Sequence, residues 1–191
     1  VVEPRIIGLS GYARSGKDTV GDYLVEHHGF VKVSFAQPMR DALYAMNPLV
    51  WVDDLGSWRV QDIVDEFGWD GYKSSLYGQE IRELMQRLGT EVGRKMFGED
   101  FWVLAAEGIM MNHLNDGKSV VFTDVRFPNE AEMIEGYFNG QTWRIERAGV
   151  VAANDHPSET ALDTHGFYQL IRNDGSLDEL YEKVEEALGL I

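Results

Sequence analysis

Residues 11–20, GYARSGKDTV, carry the densest chemistry in the chain. Gly11, Gly16 and Lys17 fit G-x-x-x-x-G-K-[ST], the loop that wraps nucleoside-triphosphate phosphates. Its glycines let backbone N–H groups turn inward. The helix that follows adds about half a positive charge at its start, and the lysine bridges the β- and γ-phosphates. One position departs from the pattern: Asp18 stands where a hydroxyl is expected, and Thr19 comes one residue late. A carboxylate is a hard oxygen ligand. Asp18 can therefore take Mg2+ directly or through a water, leaving Thr19 to meet the α-phosphate. The plainer reading is an acidic residue in a first helical turn, where negative charge is favoured.

A second carboxylate ends the run VVFTD at Asp124. Many buried strands end in aspartate, but downstream of a phosphate loop this one is expected to serve the magnesium from its outer coordination sphere. Phosphate acceptors need their own cations. In EIRELMQRLGTEVGR, Arg82, Gln86, Thr90 and Arg94 recur every four residues and share one helix face. Two guanidiniums, an amide and a hydroxyl suit a phosphate and a polar base; a solvated salt-bridge face would look the same. Arg40 and Arg126 are further candidates. Arg144 and Arg147 precede a polar stretch, 149–166, that can close over phosphates and exclude water.

These residues need a scaffold. RIIGLS reads as a buried strand before the loop, and 18–28 as a helix stopped by Gly29. VKVSF (31–35) alternates as a strand; 37–46 is a helix ending before Pro48. Residues 48–78 read as irregular, with a helical piece near 59–67. Long helices are expected over 79–97 and 99–115. SVVFTDV (119–125) is a continuous apolar run, as in interior parallel strands. A helix at 129–137, strands at 142–148 and 167–172, and a helix at 177–188 capped by Ser176 complete the alternation. That alternation predicts a parallel sheet with helices on both faces.

The 191 residues suit one domain. There is no cysteine, so disulfides and thiolate metal sites are excluded. No apolar run approaches the roughly 18–20 residues that span a bilayer, and the start lacks the basic flank of a signal peptide. A soluble cytoplasmic protein is expected. The net charge of −15 argues against nucleic-acid and acidic-membrane partners. It does not argue against a small phosphorylated ligand held by a local cluster of cations.

The ordered series SGYARSGKDT, FAQPMRDAL, GWDGYK, IRELMQRLGTEVGR, DFWV, DVRFPNEAEMI, WRIERAG, DHPSE and IRNDGSLDEL resembles the bacteriophage deoxynucleoside monophosphate kinases. These belong to the P-loop nucleoside monophosphate kinase superfamily, and the likeness spans nearly the whole chain. Its GKDT is similar to that family's loop, so Asp18 resembles a family feature. The likeness implies transfer of the γ-phosphate of ATP, with Mg2+, to a 2′-deoxynucleoside 5′-monophosphate. It implies a three-layer α/β/α fold with a five-stranded parallel sheet, in one domain. The core would cover about 1–47 and 116–191, a helical acceptor-binding region about 48–115, and a lid about 149–166. By the same likeness Gly11, Arg14, Ser15, Gly16, Lys17, Asp18 and Thr19 hold ATP, with Asn173 beside the adenine. Ser34, Phe35 and Arg40 border the monophosphate pocket. Arg82, Gln86, Thr90 and Trp102 line the acceptor site. The sequence leaves open whether ribonucleotides are excluded, though a bulky side chain such as Trp102 at the 2′ carbon would do it. Lys17, Asp18, Arg126 and Arg147 form the catalytic set, with Asp18 and Asp124 on the metal and Asp124 and Arg126 facing the phosphates. His156, Ser158 and Glu159 match a lid motif whose role their chemistry does not assign. A homodimer, in the cytoplasm of an infected host cell, is what the likeness suggests.

Two other readings stay open on the residues. Animal-type phosphomevalonate kinases have a similar SGKD loop. A nucleotide-binding switch without turnover shares the loop, but would need a guanine-reading motif such as NKxD, which is absent.

Overall fold

The computed structural model describes residues 5–52, 56–152 and 157–191. The chain runs β1 (Ile6–Ser10), α1 (Lys17–His28), β2 (Val31–Val33), α2 (Gln37–Met46), β3 (Leu49–Val52), β4 (Gly56–Arg59), α3 (Val60–Gly71), α4 (Gly78–Arg87), α5 (Phe101–Asn115), β5 (Val120–Phe122), α6 (Pro128–Glu132), β6 (Gln141–Glu146), α7 (Pro157–Thr160), β7 (Gln169–Arg172) and α8 (Leu177–Leu188). Wider π-helical turns extend α4 through Leu88–Phe97 and α6 through Met133–Tyr137. Contacts divide it into two units: 1–35 with 106–191, and 36–105.

The first unit is built on five parallel strands in the order β2-β5-β1-β6-β7. β1 is buried at all five positions and β5 at all three, which a strand without a polar face requires. Alternate residues then feed two layers. Ile7, Leu9, Val121, Trp143 and Ile145 meet Val20 and Leu24 of α1 and Leu180, Val184 and Leu188 of α8. On the other face Ile134 lies over Gly8 and Thr142. The expected three-layer fold with a five-stranded parallel sheet is what forms. The sheet's order puts β1 in the middle, so the loop leaving it at Ser10 opens at the strands' carboxyl ends, where this architecture binds ligands.

α1 and α8 are joined by a cluster with a measurable consequence. Tyr23 stacks on Tyr181 at 4.0 Å between ring centroids. Its hydroxyl donates to Glu185 Oε1 at 2.6 Å, and His28 Nε2 meets the same oxygen at 2.7 Å. The Tyr23 bond, with His28 beside it, holds the Glu185 carboxyl below its ordinary value. The same bond pushes the Tyr23 hydroxyl up to about 12. Glu185 therefore stabilises the fold above its unfolded value, and that share is lost as pH falls through the folded one. Tyr23 contributes fully below about 10, and its share is lost as pH rises toward the folded value. Glu185→Gln should flatten the curve of melting temperature against pH at both the acid and the alkaline end. A curve that keeps its wild-type shape would show that the triad carries no stability.

The second unit has its own core, with Leu43, Val50, Val60, Ile63, Tyr72, Tyr77 and Ile81 buried together. The expectation of irregular structure over 48–78 is only partly met. β3 and β4 pair antiparallel, with Val50 opposite Trp58, and α3 follows directly. The single long helix expected over 79–97 also differs. It changes to π-helical turns at Leu88, where Trp102 of α5 packs in. The Trp102 indole N–H donates to the Gly89 carbonyl at 3.0 Å. A Cβ on Gly93 would lie 2.0 Å from that indole nitrogen, so only glycine leaves the ring its place.

Candidate active site

The loop after β1 takes the shape its sequence requires. Gly11 and Gly16 have φ of 147° and 104°, values that L side chains rarely adopt. A Cβ on Gly11 would strike the Ile145 carbonyl at 2.4 Å, and one on Gly16 the Asn173 amide at 2.4 Å. Asn173 Nδ2 donates to the Ser15 carbonyl at 2.9 Å, so the loop after β7 braces the phosphate loop. Asn173 is held in turn by its own N–H on the Glu146 carbonyl at 2.7 Å.

Two polar groups in this loop are buried without adequate partners. Ser15 is 1% exposed, and its hydroxyl has no hydrogen bond among the described residues. Lys17 is 8% exposed, and among the described residues its ammonium reaches only the Tyr12 carbonyl, at 3.5 Å. Burial lowers the Lys17 pKa; the neighbouring Asp18 charge works against this, and Arg126 adds to it. A buried, under-bonded cation at a helix start is costly unless an anion arrives. Glu159 and Asp124 also act on the Lys17 charge, which places them with Arg126 around it.

Asp124, just past β5, is fixed from β2's side. Its Oδ2 accepts from the Ser34 hydroxyl at 2.6 Å and its Oδ1 from the Phe35 N–H at 2.9 Å. The Phe35 ring stacks on Phe122 at 4.4 Å. Ser34 and Phe35 thus serve the carboxylate. Arg126 is fixed at its backbone: the buried Glu130 accepts from the N–H groups of Arg126 and Phe127 at 2.7 and 3.0 Å. Sequence reasoning missed Glu130; the proline at the helix start with an acid two residues later was the available signal. Asp18 is exposed and makes no hydrogen bond or ion pair with the described residues.

Two clefts open beside the loop, and Arg147 borders both. One, of about 460 Å³, is lined by Arg14, Gly16, Asp18, Thr19, Arg147, Asn173, Gly175, Leu177 and Leu180. It gathers most of the residues expected to hold ATP. The other, of about 320 Å³, includes Tyr12, Ser15, Arg144, Arg172 and Asp174. Arg144 is buried, ion-paired to Asp163 at 3.0 Å and set over the Tyr12 ring at 4.7 Å. Neither Tyr12 nor Asp163 stood out in the sequence. His156 lies outside the described residues; Glu159 pairs with Arg126 at 2.7 Å.

In the second unit, Arg40 and Arg82 come together. Both charges act on Tyr72, opposing the rise that burial imposes on its hydroxyl, and Arg40 sits 6.0 Å from the Trp69 ring centroid. Gln86 and Thr90 are exposed along the same helix, whereas Arg94 pairs with Glu99 at 3.5 Å. Thr90 and Arg94 lie on the wider π-helical turns that begin at Leu88, whereas Arg82 and Gln86 lie on the α-helical part. Trp102 is nine-tenths buried, and its N–H is spent on Gly89.

Comparison with known proteins gives this arrangement a family. A family model described as deoxynucleotide monophosphate kinase matches residues 5–54 and 75–184. A protein of Acanthamoeba polyphaga mimivirus that carries a provisional deoxynucleotide monophosphate kinase name is 29% identical over 94% of this chain and 93% of its own length. The deoxynucleotide monophosphate kinase of Escherichia phage RB69 is 27% identical, over 96% of this chain and 99% of its own. Among solved structures, dephospho-CoA kinase from Campylobacter jejuni shares the fold, with a TM-score of 0.52 and 13% identity over 97% of this chain and 98% of that one. The family match covers both the phosphate loop and the helix carrying Arg82 and Gln86, and on it the chain belongs to the deoxynucleotide monophosphate kinases.

Proposed function

We propose that this chain moves the γ-phosphate of ATP to the 5′-phosphate of a 2′-deoxynucleoside monophosphate through the residues named above. An anionic acceptor oxygen attacks the γ-phosphorus. The bond to the β,γ-bridging oxygen breaks, and ADP and the deoxynucleoside diphosphate leave. The acceptor oxygen carries no proton that must be removed, so a strong general base is not needed. Positioning and charge neutralisation do the work. The observation that carries the reading is the buried Lys17 ammonium, whose one bond among the described residues is a long one to a carbonyl, inside a loop whose glycines let it pack against Ile145 and Asn173.

Lys17 is assigned to the β- and γ-phosphates, with Gly11, Arg14, Ser15, Gly16 and Thr19 holding the rest of the triphosphate. Arg147 and Asn173 are assigned to the nucleoside in the larger cleft. Arg40, Arg82, Gln86, Thr90 and Trp102 take the monophosphate; Trp102 acts by shape, since its N–H is committed. Mg2+ suits the donors. It takes one or two carboxylates plus phosphate oxygens and waters, and among the described residues no group of three or more carboxylates or histidines competes for it. Asp18 and Asp124 would hold it, and it would neutralise charge on the phosphates. Ser34 and Phe35 keep Asp124 in place.

Asp18→Asn should lower kcat about tenfold and raise the Mg2+ concentration needed for half-maximal rate, with an unchanged melting temperature. A lower melting temperature with normal Mg2+ dependence would make Asp18 a helix-start residue and no more.

With this reading go a soluble enzyme of the infected cell's cytoplasm, acting on small molecules rather than nucleic acid, and, from the family likeness, a homodimer, which sedimentation would test. Among the described residues no helix is long and apolar enough to cross a membrane. The decisive assay is ADP release across all deoxy- and ribonucleoside monophosphates, with Lys17→Ala as control. ADP release that ignores every added monophosphate would sink the transferase reading.

A further inference from the structure

We propose that Glu159 is a positioning residue for phosphoryl transfer: it grips one corner of the Arg126 guanidinium and leaves the remaining N–H groups turned to the phosphates. This rests on the assignment of Arg126 to the phosphate site. Arg126 Nη1 donates to Glu159 Oε1 at 2.7 Å. Among the described residues the guanidinium has no other side-chain partner, so Nε and Nη2 remain for a ligand.

An exposed ion pair of this kind is worth little to stability, and here the two sides differ. The Glu159 side chain is 13% exposed and that of Arg126 41%. The carboxylate is the fixed partner. Leu162, three residues on, is buried, and Asp163 accepts from Arg144 Nη2 at 3.0 Å and from the Tyr12 hydroxyl at 2.8 Å. Tyr12 belongs to the phosphate loop. The 157–165 stretch is thus tied both to that loop and to Arg126, whose backbone Glu130 already locks. Fixing a long arginine side chain before nucleotide binds removes part of the ordering cost from the catalytic cycle. The carboxylate also offsets repulsion between two cations. Arg126 lowers the Lys17 pKa, and Glu159 raises it.

The test is steady-state kinetics on Glu159→Ala, Glu159→Gln, Arg126→Ala and the double alanine variant, each checked for its melting temperature. Glu159→Ala should lower kcat about 10- to 100-fold, the scale of a misplaced positioning group, with KM for ATP little changed. Glu159→Gln, whose carbonyl still accepts from Arg126, should recover much of the loss. In the Arg126→Ala background, Glu159→Ala should change nothing further. An equal loss in both backgrounds, or an unchanged or raised kcat for Glu159→Ala, overturns the proposal. If Arg126→Ala alone keeps full kcat, the assignment of Arg126 fails, and the proposal with it.

Discussion

Lys17→Met is expected to cut kcat about 10³-fold or more while leaving the nucleotide-free protein at least as heat-stable as the wild type. The two halves of this expectation come from one observation. The Lys17 ammonium is 8% exposed and, among the described residues, bonded only to a carbonyl at 3.5 Å, so its charge is poorly compensated without a phosphate. Its folded pKa lies below the ordinary lysine value, with burial as the largest cause. A cationic group whose folded pKa is lowered costs stability at every pH below its ordinary lysine value, which includes neutrality. Methionine keeps the length and removes the charge. The wild type should gain stability when ATP is added, by about 2.7 kcal/mol at a hundred times Kd; the variant should lose most of that gain. Melting temperatures with and without ATP, beside kcat, separate the effects. A variant that is inactive because it unfolds, or one that keeps its kcat, would remove Lys17 from the reaction.

The phosphate loop was legible because its chemistry is local: ten consecutive residues hold the glycines, the lysine and Asp18, one of the two candidate metal carboxylates. The sheet was legible for a similar reason. Runs such as IIGL and VVF have no polar face and fit nowhere but a covered strand. The β3–β4 hairpin gave no such signal. GSWR has no alternation, and Leu49 and Trp51 point outward at 57% and 64% exposure. The break in the long helix at Leu88 depends on Trp102, a partner from the next helix that no periodicity reports. The supports of the site were hidden in the same way. Tyr12 meets Asp163 across 151 positions, and Arg126 meets Glu159 across 33. Function-bearing groups advertise themselves by type and spacing. The groups that aim them are ordinary acids and tyrosines until the fold brings them together.

Asp124→Asn offers the sharpest separation of scaffold from chemistry, because the structure says the amide can be accommodated. The donors to Asp124 include the Phe35 N–H at 2.9 Å and the Ser34 hydroxyl at 2.6 Å. Asparagine can turn its carbonyl to the N–H, which can only donate. Its NH2 then faces a hydroxyl that can rotate and accept. The link between β5 and the end of β2 survives, so the melting temperature should stay near that of the wild type. The negative charge does not survive. If Asp124 helps hold Mg2+ against the phosphates, kcat should fall about 10²- to 10³-fold, with partial recovery at high Mg2+. Ser34→Ala should cost far less, since it removes a support of the carboxylate and not the carboxylate. The two substitutions combined should lose little more than Asp124→Asn alone, because the serine would act through the charge that is already gone. Full activity in Asp124→Asn would leave Asp124 as a tie between strands and return the metal to Asp18 alone.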